Sequence, residues 1–155
     1  PRVLQLLAEH GLQAGLLTLE VTEGLVVDDV ELVAAKMRAL ADLGVHFSVD
    51  DFGTGYSSLS HLKRFSINVL KIDQCYIRNL ALSSEDLVLT QAMIVMAQKL
   101  GLRVVAEGVT SHEQLDLLNN AGCDFMQGNK VAEAAEAEAL GVQLRSRTSS
   151  VEERN

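Results

Sequence analysis

The chain has 155 residues, 48% of them hydrophobic, which is the length of one domain with material for a buried core. Against 21 Asp and Glu stand 13 Lys and Arg, and the formal charge of -8 excludes a general binder of DNA or RNA polymers, whose phosphates it would repel. A small anionic ligand stays open, because metal ions can reverse the local field of an acidic site.

No apolar run reaches the roughly 18 to 20 residues of a membrane span, and no signal-type n-region and h-region opens the chain. Cys75 and Cys123 have neither metal-ligand spacing nor the density of a secreted disulfide scaffold, so both are expected as reduced thiols in a cytoplasmic protein. The chain starts at Pro1, inside the helical pattern "RVLQLLAEHG", as expected of a piece of something longer.

Short β-branched runs then alternate with helical patterns. The strands are expected at "LLTLEV" (16–21), "VHFSVD" (45–50), "NVLKID" (68–73), "RVVAEG" (103–108) and, more weakly, "DFMQG" (124–128). Alternation of this kind implies a parallel sheet in an α/β fold. Between the strands, residues 30–43 place Val30, Val33, Met37, Leu40 and Leu43 at three- and four-residue steps, with Gly44 as a stop. A second helix is expected near 84–100, opening on "SSED" and ending before Gly101. A third follows a capping box, either Thr110 with Glu113 or Ser111 with Gln114. The stretch "VAEAAEAEALG" is a plain helix former, and the tail "VQLRSRTSSVEERN" has little to bury and is expected to be disordered. The division is therefore one domain over 1–141 and a polar tail over 142–155.

Every expected strand ends on or beside a residue able to hold a metal or a proton: Glu20, Asp50 with Asp51, Lys71 with Asp73, Glu107 and Gln127. In parallel α/β folds the carboxyl ends of the strands share one rim, where sites are built. Glu20 and Glu23 can also be read as the start of a solvated loop, Asp28 and Asp29 as caps of the next helix, and Asp73 as a helix or turn cap. Lys71 alternates with Leu70 and Ile72, so it points to the other face, inward, where a lysine needs an anionic partner. Asp50 and Asp51 repel one another unless a divalent cation neutralises them. Successive strand residues point apart, so the pair acts together only if the backbone bends, and "FGTGYSS" is expected to supply that bend.

An oxygen donor set favours magnesium or manganese over zinc. His10, His46, His61 and His112 show no ligand spacing, and His46 is expected as a core or interface residue. There is no Gly-x-Ser-x-Gly elbow, Walker loop or Gly-x-Gly-x-x-Gly, so hydrolysis here would have to be metal-assisted.

Together, "LEVTE", "VDDFGTGYSSLSHLKRF", "LKID", "VVAEGV" and "GCDFMQG" resemble the EAL-type cyclic di-GMP phosphodiesterases over about residues 1 to 128. The resemblance implies a TIM-like (β/α) barrel, present here as about five βα units, and a two-metal site using Mg2+ or Mn2+. It implies that Glu20, Asp50, Asp51 and Gln127 serve that metal site and that Lys71 positions the hydrolytic water. Glu107 then has general-base or metal-site duty, and Glu23 holds the "DFGTGYSS" loop. The implied reaction is hydrolysis of cyclic di-GMP to linear pGpG, in a homodimer formed through the "SSLSHLKRF" helix. The family's Glu-Ala-Leu strand and its asparagine-bearing strand are not in these residues, and the "EAL" at 138–140 falls in a late helix. "GNKVAEAAE" lacks the aromatic and the basic-proline pair that shape the family's guanine pocket, and Thr110 stands where many relatives have a glutamate. The alternative is an inactive EAL-like module that binds cyclic di-GMP or a protein partner; an unrelated barrel enzyme acting on another phosphate ester ranks last.

Overall fold

The strands β1 (Thr18–Thr22), β2 (His46–Phe52), β3 (Val69–Ile72), β4 (Arg103–Ala106) and β5 (Phe125–Met126) form one parallel sheet in sequence order. This computed structural model describes residues 2–22, 30–54 and 64–142. Glu23, the Asp28 and Asp29 caps, most of the "SSLSHLKRF" helix and the tail after residue 142 lie outside the described residues. Helix α1 (Arg2–Glu9) precedes the sheet, and α2 (Val30–Ala41), α3 (Gln74–Arg78), α4 (Ser84–Lys99) and α5 (His112–Asn120) lie in its connections.

Alternation along the strands divides the sheet into two faces. Phe47, Val49, Leu70, Ile72, Val104 and Ala106 share one core with Met37, Ile94, Ala97 and Leu118 from the helices. Leu70, Ile72, Ile94, Val104 and Leu118 are fully enclosed, and each such side chain stabilises the fold by roughly 1.5–3 kcal/mol. The register sets Glu20 beside Ser48, Ser48 beside Val69, and Lys71 beside Val105 on the opposite face. This is the inward face of a barrel that the described strands do not close.

The caps explain the helix boundaries. Ser83 accepts from the Asp86 amide at 3.1 Å, acidic Glu85 and Asp86 occupy the first turn of α4, and Lys99 its last. Of the two boxes expected before α5, Ser111 with Gln114 forms. Thr110 joins it, its amide donating to Gln114 Oε1 at 2.8 Å.

Three expectations need correction. Helix α2 ends at Ala41, so Leu43 sits in the following turn and is exposed; Ala34 takes the place beside Met37 in the buried face. The "VAEAAEAEALG" stretch is helical only from 137, with 132–136 irregular and exposed, because nothing packs on it and alanine propensity alone is marginal over so few residues. Strand β1 runs two residues past Glu20, to Thr22, so Glu20 lies within the strand rather than at its end.

Candidate metal centre at the carboxyl rim of the sheet

Lys71 is the hub of the site. Its Nζ lies 2.7 Å from Glu107 Oε1, 3.0 Å from Glu20 Oε1 and 3.1 Å from Asp50 Oδ1, with the lysine side chain 10% exposed. The inward orientation and the anionic partner expected from its alternation with Leu70 and Ile72 are both present. Burial by itself would lower the lysine pKa, but the hydrogen bonds it donates to Glu107, Glu20 and Asp50 outweigh it and raise the pKa above the ordinary value. The ammonium is therefore a fixed positive charge among the acids.

The backbone bend is one residue earlier than expected. Val49 pairs with Leu70 and Phe52 with Ile72, so both Asp50 and Asp51 stand opposite Lys71 alone: a β-bulge. Asp51 adopts φ +55°, a left-handed conformation that Asp tolerates better than most residues. That turn brings adjacent carboxylates to one side, where alternation would have separated them. The chain begins to turn at the bulge, and Gly53 at φ +99° continues that turn. The Asp51 carbonyl accepts from the Thr54 hydroxyl at 2.8 Å and from its amide at 3.2 Å, and Tyr76 Oη donates to Gly53 O at 2.5 Å. At φ +99° Gly53 packs so closely on Tyr76 that a Cβ would meet the ring at 2.7 Å.

Asp50, Asp51 and Glu107 each offer a carboxylate oxygen within 4.8 Å of the others. All donors are oxygen, which suits a hard divalent cation such as magnesium or manganese. Repulsion from Asp50, then desolvation, then Asp73 raise the Asp51 pKa above its ordinary value.

Asp73 is the expected cap, its side chain accepting from the Cys75 amide at 2.8 Å at the start of α3. Its carboxylate also acts on Asp51, helping to raise the Asp51 pKa, so Asp73 belongs to the rim as well as capping α3. Interaction with Cys75 is the first cause that keeps the Asp73 pKa below its ordinary value. The signal available in sequence was the spacing Lys71-x-Asp73, which puts both carbonyl-end residues of β3 at one rim.

Glu107 follows β4, its amide donating to Ile72 O at 3.1 Å, and Gly108 beside it sits at φ +72° with Gln74 filling the space a Cβ would need. Gln127 follows β5 in the register next to Glu107, exposed, its main chain paired with Ala106 and Val109. The ion-pair network thus gathers Glu20, Asp50, Lys71 and Glu107, the bulge adds Asp51, and Gln127 shares the rim without joining the ion pairs.

Both cysteines are free thiols. Desolvation, followed by the Asp73 carboxylate, pushes Cys75 up to about 11, and desolvation raises Cys123, so neither is a ready nucleophile at neutral pH. Among the described residues no helix is long and apolar enough to cross a membrane.

A parallel (βα) sheet carrying an acid cluster neutralised by one lysine at its carboxyl rim defines a barrel-type domain with a candidate metal centre. The chain belongs to the EAL domain family, which matches residues 1–134. It is 44% identical over 122 residues to the cyclic di-GMP phosphodiesterase NbdA of Pseudomonas aeruginosa, an alignment covering 79% of this chain and 16% of that protein. Its fold matches the PaMucR phosphodiesterase, solved as a c-di-GMP complex, with a TM-score of 0.83 and 39% identity over 89% of this chain and 56% of that one. It also matches BlrP1 of Klebsiella pneumoniae, solved as a manganese and cyclic di-GMP complex, with a TM-score of 0.75 and 32% identity over 81% of this chain and 32% of that one. The chain spans less than two thirds of the length of each. The EAL-type partial barrel expected from the motifs is the fold observed.

Proposed function

We propose that these residues form the C-terminal part of a metal-dependent phosphodiesterase that opens cyclic di-GMP to linear pGpG. The observation that carries this reading is the Lys71 ammonium bonded to Glu20, Asp50 and Glu107 beside the Asp50, Asp51 and Glu107 cluster. Asp50, Asp51 and Glu107 would hold one Mg2+ or Mn2+, with Glu20 and Gln127 completing a two-metal site in the complete domain. Bound divalent cations supply an acidified water and neutralise charge on the phosphodiester.

The remaining work falls to side chains already in position. Glu107 accepts the proton of the attacking water, and Lys71 holds Glu107 and directs the water through its N–H groups. A new P–O bond forms from that water as the P–O3′ bond breaks, and the departing O3′ takes up a proton. One strand of the ring is thereby cut, leaving a 5′-phosphate and a free 3′-hydroxyl. Glu23 would hold the loop after β2, and residues 1–141 would act as one unit with a polar tail over 142–155. A cytoplasmic setting and a homodimer through the "SSLSHLKRF" helix complete the reading. The test is direct: cyclic di-GMP incubated with Mg2+ or Mn2+ and a chain containing the complete domain, with pGpG followed by chromatography.

A second reading has its own observation. Residues 129–136 are exposed and carry no aromatic side chain, where the family's guanine pocket would be shaped. An EAL-like module that binds cyclic di-GMP or a protein partner without hydrolysis fits that surface. Equal ligand affinity with and without divalent metal, and no pGpG, would favour it.

A further inference from the structure

We infer that Lys71 is an internal competitor for the divalent cation, so that loading the centre releases the lysine from Glu20. The inference rests on the proposed metal-dependent reading and adds to it the order in which the acids become available. Lys71 binds Glu20, Asp50 and Glu107 at 3.0, 3.1 and 2.7 Å. Among the described residues the cluster able to hold a cation is Asp50, Asp51 and Glu107. Asp50 and Glu107 belong to both sets, Asp51 only to the cation set and Glu20 only to the lysine set.

A divalent ion held by Asp50 and Glu107 would therefore lie close to an ammonium that shares both ligands. Two cations at that separation repel, and the repulsion is strong because the lysine side chain is 90% removed from solvent. Glu20 is the partner with the most exposed side chain, 52% against 24% for Asp50 and 18% for Glu107, so its bond to Lys71 is the one water replaces at least cost. With an ion bound, Lys71 would part from Glu20 first, and Glu20 would then be free to serve as a ligand itself. Lys71 keeps its shorter bond to Glu107, which leaves its other N–H groups available to the reacting water. In the metal-free chain the lysine takes the place of the missing positive charge and keeps the acids from driving each other apart.

The test is calorimetric titration of the chain with Mn2+, for the unaltered sequence, Lys71→Met and Lys71→Arg. Competition predicts that Lys71→Met binds Mn2+ at least about tenfold more tightly, while Lys71→Arg, which keeps the charge, binds no more tightly than the unaltered chain. Since Lys71→Met leaves the acids unneutralised and could unfold, the same question is put to the unaltered chain by NMR. The Lys71 Nζ resonance of 15N-lysine-labelled protein should shift as Mg2+ saturates the site. Equal or weaker Mn2+ binding by a folded Lys71→Met protein, or an unmoved Nζ resonance at saturating Mg2+, would overturn the competition and leave the metal centre standing. Absence of Mn2+ binding in every form would overturn the competition and the metal centre together.

Discussion

Asp51 lies in a left-handed bulge directly opposite Lys71, the one position in β2 where two residues face a single partner on β3. This geometry turns two adjacent strand residues, which ordinarily point apart, into neighbouring carboxylates on one rim. The cost is visible in the Asp51 carboxyl, held above its ordinary pKa first by Asp50.

That cost sets a pH prediction with a definite sign. A carboxylate whose pKa is raised by folding destabilises the folded state once it ionises. The penalty is absent below the unfolded value of 3.8, grows as pH rises towards the folded value and is complete above it. Asp51→Asn removes the charge and tolerates the same backbone. Its metal-free form should melt higher than the parent at pH 7, with the gap closing as pH falls below 3.8, while its Mn2+ affinity drops. Asp73 has the opposite sign: its lowered pKa contributes stability that is present above 3.8 and lost as pH falls through the folded value. Carboxyl NMR titration should show Asp51 protonating before Asp73 as acid is added.

Tyr76 secures the turn after the bulge through its bond to Gly53 O. Tyr76→Phe keeps the ring contact and removes the donor, so urea denaturation should show a loss of about 1 kcal/mol. Metal affinity should fall with it, since Asp51 is the residue this turn positions.

Gly128 is packed against the main chain of Val109 so tightly that a Cβ would overlap the Val109 nitrogen and carbonyl, and its φ of +154° disfavours any side chain. Gly128→Ala should cost roughly 2–4 kcal/mol in denaturant unfolding. It should also shift the neighbouring Gln127, measurable as changed amide resonances along the β4 and β5 pairing.

Removing the Lys71 charge should destabilise the metal-free chain. Its partners are partly solvated, so the loss in Lys71→Met is expected near 1–3 kcal/mol, below that of a fully buried pair. Urea titration in the presence of a chelator measures it, and a variant as stable as the parent would mean that the acids do not need the ammonium.

Much of the site is legible in the sequence alone. Alternation of Lys71 with Leu70 and Ile72 gave its face and the need for anionic partners, because side-chain direction in a strand has a fixed period. The strand-end position of the acids gave the rim. The bulge at Asp51 was not legible, since a residue count along one strand carries no information about its pairing with the next. Asp73 stands in the sequence both as a rim acid beside Lys71 and as a cap, and only what lies across the rim shows that it caps α3 and also acts on Asp51. The irregular 132–136 segment escaped for a related reason: alanine and glutamate propensity predicts a helix, but helices this short need a packed face. Leu43 was misplaced because helical spacing continues on paper past the point where Gly44, at φ +95°, ends the helix.

Glu107 makes the shortest of the three bonds to Lys71 and also belongs to the cation cluster, so the central claim rests most heavily on it. The decisive measurement is pGpG formation from cyclic di-GMP with Mn2+, comparing Glu107→Gln with the parent in a chain containing the complete domain, with circular dichroism to confirm the fold. The account predicts a folded variant with turnover reduced by about 100-fold or more. A folded variant that turns over at the parent rate would contradict it.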